Sequence, residues 1–184
     1  SPDQGETQRD PSDDNTIEET EKETKVDYRK LNECLAKEQW KEADEETMRV
    51  MLEIADREES GFLQRTNIEK FPDTAIQAID QLWRKYSKGH FGFNVQAKIW
   101  RECKVKPGKF EFKTYQNKFG VRTGWYINEN WLNNYDDFQF SLEAPQGHLP
   151  SLSFPNFNDK KIDWTTLKEV FQYFLPRFLS IKKI

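Results

Sequence analysis

The stretch Ile79-Asp80-Gln81-Leu82-Trp83-Arg84-Lys85-Tyr86-Ser87-Lys88-Gly89-His90-Phe91-Gly92-Phe93-Asn94-Val95-Gln96 decides the fold. Ile79, Leu82, Trp83 and Tyr86 recur at helical spacing and share one face. Gly89 stops that helix, and a turn then presents Phe91 and Phe93 around Gly92. Asn94 is placed to cap a second helix with Val95, Ile99, Trp100 and Cys103 on its face, ended by Lys106-Pro107-Gly108. Working outward, Pro72 and Asp73 open the helix that ends at Gly89. Upstream, Asp27 caps a helix over about 28–37, with Leu31, Cys34 and Leu35 inward. Another, over about 39–56, buries Trp40, Ala43, Thr47, Val50, Met51 and Ile54. The segment between, Arg57–Lys70, is polar apart from Gly61-Phe62-Leu63 and reads as a loop with a short helix. Downstream the period is ambiguous: Phe110-Glu111-Phe112-Lys113 alternates like a strand, while Phe112, Tyr115 and Phe119 suit a helix. Asp163 caps a last helix with Trp164, Leu167, Val170, Phe171, Phe174 and Leu175 on one stripe, broken by Pro176. Such a stripe must bury against something.

At 184 residues the chain fits one domain with tails, or at most two small ones. Fourteen Phe, six Trp and six Tyr predict a core of few, large side chains. No apolar run approaches a membrane-spanning helix, and no secretory signal opens the chain. It begins with Ser, as a piece of a longer protein would. Residues 1–25 hold nine acids against three bases, a net of −6 that leaves +2 for the rest. With Ile17 as its one large apolar residue, this segment reads as a disordered acidic leader or linker. Cys34 and Cys103 sit on apolar faces as small buried hydrophobes, in keeping with a cytosolic or stromal redox setting.

The chemistry-bearing residues narrow the function classes. His90 and His148 are the only histidines, nothing pairs them with a carboxylate by spacing, and no C-x-x-C or H-x-x-x-H occurs, so no metal site is signalled. No phosphate-cradling loop or nucleophile elbow is present, and no catalytic residue is assigned. Residues 98–126 carry eight bases against two acids with aromatics between them, a pattern that single-stranded nucleic acid would use. Those aromatics fall at core spacing, however, and no nucleic-acid module matches. Cations around an apolar cup also suit a planar, di-anionic ligand. The stretch Gly120–Pro155 interleaves Gly, Asn, Asp and Pro with Trp125, Trp131, Tyr135, Phe138, Phe140 and Leu142, and a loop of that length tends to bind something.

Taken with Trp40-Lys41-Glu42-Ala43-Asp44-Glu45-Glu46-Thr47 and Ala144-Pro145-Gln146-Gly147-His148-Leu149-Pro150, the opening stretch resembles the genomes-uncoupled family of tetrapyrrole-binding regulators of chlorophyll synthesis. The resemblance covers roughly residues 26–150. It implies an all-α fold shaped like a cupped hand, with helix rather than strand at Phe112–Phe119. It implies a binding protein without catalysis or a required cofactor. Its ligand would be protoporphyrin IX or magnesium protoporphyrin. Its partner would be the large, porphyrin-carrying subunit of magnesium chelatase, in a cyanobacterial cytoplasm or the plastid stroma.

In the family, loops hold the ligand over an apolar palm, and the matching loops here are Arg57–Phe71 and Gly120–Pro150. The resemblance nominates Phe138 and Phe140 as ligand contacts, with Trp131, Phe91, Phe93, His148 and Leu149 beside them and Arg122 at the rim. Each has a blander reading. Trp83, Trp100 and Phe91 suit the core, and His148 suits a hydrogen bond to a loop carbonyl better than axial metal ligation. The chain departs from the family at Gln146, where a basic residue is usual, and at Ser151-Leu152-Ser153-Phe154-Pro155-Asn156. Arg122, Lys118 or Lys160 would then anchor the propionates. The expected organisation is a leader over 1–25, a helical ligand-binding domain over 26–155 and a C-terminal extension over 156–184. The rival expectation is a related ligand-sensing or interaction domain from a larger bacterial signalling protein.

Overall fold

The computed structural model describes residues 11–104, 111–156 and 158–180. The first ten residues of the leader, Phe110 and the expected stop at Lys106-Pro107-Gly108 lie outside the described residues. The fold is all-α. Helices α1 (Pro11–Thr24), α2 (Arg29–Ala36), α3 (Trp40–Ile54), α4 (Arg65–Lys70), α5 (Asp73–Tyr86) and α6 (Phe93–Glu102) come first. Next, α7 (Phe112–Thr114), a π-helical turn (Tyr115–Gly120) and α8 (Val121–Thr123) follow without a break. A small antiparallel hairpin pairs β1 (Tyr126–Ile127) with β2 (Asn130–Trp131), opposing Tyr126 to Trp131. A 3₁₀ turn (Tyr135–Asp137) and helix α9 (Trp164–Ser180) complete the chain.

The helical faces read from the sequence are the faces buried. Leu31 and Leu35 of α2, Ala43 and Met51 of α3, and Ile79 and Trp83 of α5 all lie in the core. The turn after α5 closes a three-ring cluster: Trp40 stacks on Trp83 at 6.2 Å, and Phe91 meets the two edge-on at 5.5 and 6.2 Å. The Trp83 indole donates to Thr47 Oγ1 at 2.9 Å, so even the polar atom of this ring is satisfied between α3 and α5. Gly92 has φ +127°, and a Cβ there would lie 2.8 Å from Asp80 Oδ1. That carboxylate accepts the backbone N–H of Asn94 at 2.9 Å and Arg84 Nε at 2.7 Å. The start of α6 is therefore held by Asp80 from the preceding helix, and the expected Asn94 side-chain cap is not formed.

Two expectations are corrected. The acidic leader is helical over Pro11–Thr24 and docks on α5. Ile17 packs against the core, Thr20 is buried, and Thr74 Oγ1 donates to Glu23 at 2.5 Å. Glu21 accepts the Tyr28 N–H at 3.1 Å, tying α1 to the start of α2. Pro176, in turn, does not break the last helix, which continues to Ser180. Arg177, next to it, binds the carbonyl oxygens of Ile68 and Phe71 and the Asp73 carboxylate, so tertiary contacts hold the turn that Pro176 weakens. At residues 112–119, helix is found, as the resemblance implied. Among the described residues no helix is long and apolar enough to cross a membrane.

Helix α9 belongs to the same core as the rest. Leu167, Val170, Phe171, Phe174 and Leu175 are buried, and at about 1.5–3 kcal/mol each their burial amounts to roughly 8–15 kcal/mol before entropy. Phe171 lies 4.7 Å from Trp125 and 6.2 Å from Phe119, while Phe174 lies 5.0 Å from Phe93. Phe171→Ala is expected to lower the unfolding free energy by about 3–5 kcal/mol, because rings on every side prevent the cavity from collapsing. Denaturant unfolding checks this, and a change below about 1 kcal/mol would mean that α9 does not dock in solution.

Candidate functional site

Asp44, on α3, is fully buried, and among the described residues no ion pair reaches it. Its Oδ2 accepts the Tyr135 hydroxyl at 2.7 Å and the Ser151 hydroxyl at 2.6 Å, and Oδ1 accepts the Ser151 N–H at 2.7 Å. Burial pushes the Asp44 carboxyl up to about 6 against the pull of these donors. Burial, then the neighbouring Asp44 charge, pushes the Tyr135 hydroxyl well above its usual range. One carboxylate thus fastens the aromatic loop and the segment after Pro150 to α3. From Ser151 the chain runs on to Phe154, whose N–H contacts Met48 Sδ at 3.1 Å.

This fastening shapes a groove. Two lobes of about 430 and 750 Å³ meet at Gly61, Phe154, Pro155 and Asn156. Both fall in the range of roughly 300–1,000 Å³ found for small-molecule sites. The first lies between Ser60–Phe62 and α9, with Leu152, Phe154, Leu167 and Val170 as apolar lining. The second lies over α3, lined by Met48, Leu52 and Tyr135. Charge is unequal between the lobes. Glu42, Glu45, Glu46 and Glu58 face the second, against Lys30, Arg49 and Lys160. Glu46 is already paired with Lys30 at 3.4 Å and Arg49 at 2.7 Å. The first holds Lys161 and Asp163 with the amides of Asn156 and Asn158. Cations stand at Lys161 in the first lobe and at Lys160 in the second, where Lys160 shares the lining with the glutamates of α3.

The residues nominated from the sequence fall elsewhere. Phe91, Phe93, Phe138, His148 and Leu149 are buried and packed inside the protein, and none of the five lines either lobe. Phe138 packs between His148 at 5.2 Å and Tyr135 at 6.0 Å, and half-buried Phe140 lies 5.3 Å from Tyr135. His148 Nδ1–H donates to the Thr123 carbonyl at 2.6 Å, and Nε2 accepts the Gln139 N–H at 3.0 Å. Both ring nitrogens are occupied in one neutral tautomer, which leaves neither for a metal, and burial lowers its pKa. The blander reading of His148, a bond to a loop carbonyl, is the one observed. Trp131 is half-buried between Tyr115 at 5.0 Å and Trp164 at 4.5 Å. Arg122 is on the surface, 2.7 Å from Glu102, and lines neither lobe.

Of the groove lining, Ser60, Gly61 and Phe62 fall in the Arg57–Phe71 loop matched from the sequence, whereas Leu152, Phe154, Pro155, Leu167 and Val170 were not nominated. Phe62 is 37% exposed at the mouth, with the Arg57 guanidinium 5.2 Å from its ring. Lys160, considered as a propionate anchor, lines the second lobe and lies 3.3 Å from Asp136. Among the described residues no cluster of three or more His, Cys, Asp or Glu could hold a metal ion.

Comparison with known proteins supplies the context. A family described as GUN4-like matches residues 21–159. A Ycf53-like protein of Synechocystis sp. is 35% identical over 130 residues, covering 70% of this chain and 52% of its own length. A chloroplastic tetrapyrrole-binding protein of Arabidopsis thaliana is 32% identical over 132 residues, covering 70% of this chain and 49% of its own. The chain thus spans about half the length of these relatives. The ligand-free structure of Arabidopsis thaliana GUN4 superposes with a TM-score of 0.61 at 28% identity, covering 80% of this chain and 90% of that one. That of Chlamydomonas reinhardtii GUN4 gives 0.61 at 24% identity over 82% and 89%, a likeness of fold.

The Asp44 fastening has a measurable pH signature. With a folded value of about 6 against an ordinary 3.8, the unfolded chain gives up this proton first as pH rises. The stability from neutral Asp44 is full below about pH 4 and is lost by about pH 6, a change of roughly 3 kcal/mol. Asp44→Asn lacks this titration, so wild-type stability minus variant stability should fall across that window and level off above it. A difference that stays flat from pH 4 to pH 7 in denaturant unfolding would refute the assignment.

Proposed function

The chain belongs to the GUN4-like family, and on that premise we propose that it binds a tetrapyrrole in the groove between Ser60–Phe62 and Leu152–Lys161. The observation that carries this reading is a groove of ligand size, walled by apolar side chains, beside a loop that the sequence resemblance assigns to the ligand. Burying about 300 Å² of a porphyrin face there is worth on the order of 7 kcal/mol before association costs, enough for useful affinity. Phe154, Pro155 and Leu152 supply the apolar contact, and Lys160 and Lys161 supply cations for two carboxylates.

The ligand is protoporphyrin IX or magnesium protoporphyrin in this reading, and the role is regulatory rather than catalytic. The tetrapyrrole-binding name of the Arabidopsis relative supports the ligand class. Stimulation of magnesium chelatase through its large subunit follows from the family resemblance, as does action in a cyanobacterial cytoplasm or plastid stroma. The cyanobacterial and chloroplastic relatives are in keeping with that setting.

Titration of the purified chain with protoporphyrin IX and with magnesium protoporphyrin, followed by the Soret band and tryptophan quenching, tests the proposal. Phe154→Ala is expected to weaken binding about tenfold, or ~1.4 kcal/mol, with the helical spectrum unchanged. Lys160→Ala is expected to weaken it more at low salt than at high, because a rim ion pair is screened. Wild-type protein that shows no saturable change with either porphyrin sinks the assignment.

A further inference from the structure

Helix α9 packs against the aromatic loop. Trp164 lies 4.5 Å from Trp131 at 34°, while Tyr115 covers Trp131 at 5.0 Å and 27°. The Trp164 indole also donates to the Leu132 carbonyl at 2.6 Å, and its ring lies 6.1 Å from Trp125. Two turns further on, Phe171 lies against Trp125. Two of the loop aromatics, Trp125 and Trp131, are therefore covered by rings from α9. The same buried stripe of α9 also reaches the groove. Leu167 and Val170 line the first lobe of the groove facing Phe62, Leu152 and Phe154. Helix α9 also lies beyond residues 21–159, the part of the chain that the family matches.

Reversible displacement of α9 by a ligand is ruled against by magnitude. The helix buries five large side chains in the core, more apolar surface than one face of a porphyrin brings. We infer that α9 is the specificity-determining element of this chain's ligand site: it permanently takes the stacking face of the aromatic loop and, through Leu167 and Val170, forms the inner wall against which a planar ligand seats. This rests on the tetrapyrrole reading and deepens it. A ligand then meets one aromatic ring, Phe154, and aliphatic side chains, instead of a bed of stacked indoles. The depth of the lobe is set by the side chain at 170.

Titration of the full chain and three variants with protoporphyrin IX, read by the Soret band with thermal melting as the fold control, tests the inference. Val170→Phe fills the lobe and is expected to weaken binding tenfold or more. Val170→Ala removes contact without adding bulk and is expected to weaken it about threefold, so the inference stays testable if the larger ring disrupts folding. Trp164→Ala uncovers Trp131 and is expected to leave affinity within twofold. The inference is overturned if Trp164→Ala tightens binding tenfold while both Val170 variants bind like wild type, since the loop would then be the ligand face and α9 a removable cover. Protein that binds no protoporphyrin in wild type or any variant overturns the tetrapyrrole reading itself, a result distinct from a shift in which residue matters.

Discussion

The arrangement of the groove depends on one buried carboxylate. Asp44 receives hydrogen bonds from a tyrosine 91 positions away and from a serine 107 positions away, and no cation among the described residues pairs with it. An ionised group in such surroundings is costly unless donors surround it, and three do. The return on that cost is positional. An apolar residue at 44 would bury as readily but would not dictate where Tyr135 and Ser151 sit. Ser151 in turn meets the Ser153 hydroxyl at 3.0 Å, and the backbone then delivers Phe154 to Met48. Both lobes of the groove meet at Phe154, so a polar contact in the interior fixes an apolar surface at the exterior.

The core solves a packing problem with few, large rings. Trp131 lies flat over Gly120, where an added Cβ would come within 2.9 Å of the indole. The absence of that one carbon lets the hairpin close against the π-helical turn. Tyr115, Trp131 and Trp164 then stack from three separate segments, and Trp125 receives Phe119 and Phe171. A long, irregular loop is held rigid in this way without much regular secondary structure. Its backbone is anchored as well: His148 spans Thr123 and Gln139, and the Trp125 indole donates to the His148 carbonyl at 3.0 Å. In the stretch that reads from the sequence as a binding loop, Trp125, Tyr135 and Phe138 are part of the core.

The helices were legible because each buries a face at a 3.6-residue period, as Ile79, Leu82 and Trp83 do. The docking of α1 was not, because it runs through polar atoms. Thr20, Glu21 and Glu23 make contacts that composition counts only as charge and polarity. The packing of the nominated rings was illegible for a related reason. Phe138 and Trp131 stand among Gly, Asn and Asp, and one sequence cannot distinguish a ring that meets a ligand from a ring that meets Trp164 from 33 positions further along. The stripe on α9 was visible and was expected to bury, yet its target was not. The groove lies where that unassigned helix passes the Gly61–Phe62 loop tip, so locating it required a contact that no local pattern encodes.

The packing of α9 also bears on where this fold can be cut. The segment that the family matches stops at residue 159, a natural place to trim the chain for expression. Phe93, Phe119 and Trp125 lie wholly inside the protein beneath α9, and Phe71 nearly so. A chain shortened to the match would turn these rings out to water as one contiguous sticky face. Such a fragment would be prone to precipitation even with its other helices intact, because the surface that α9 buries is part of the core.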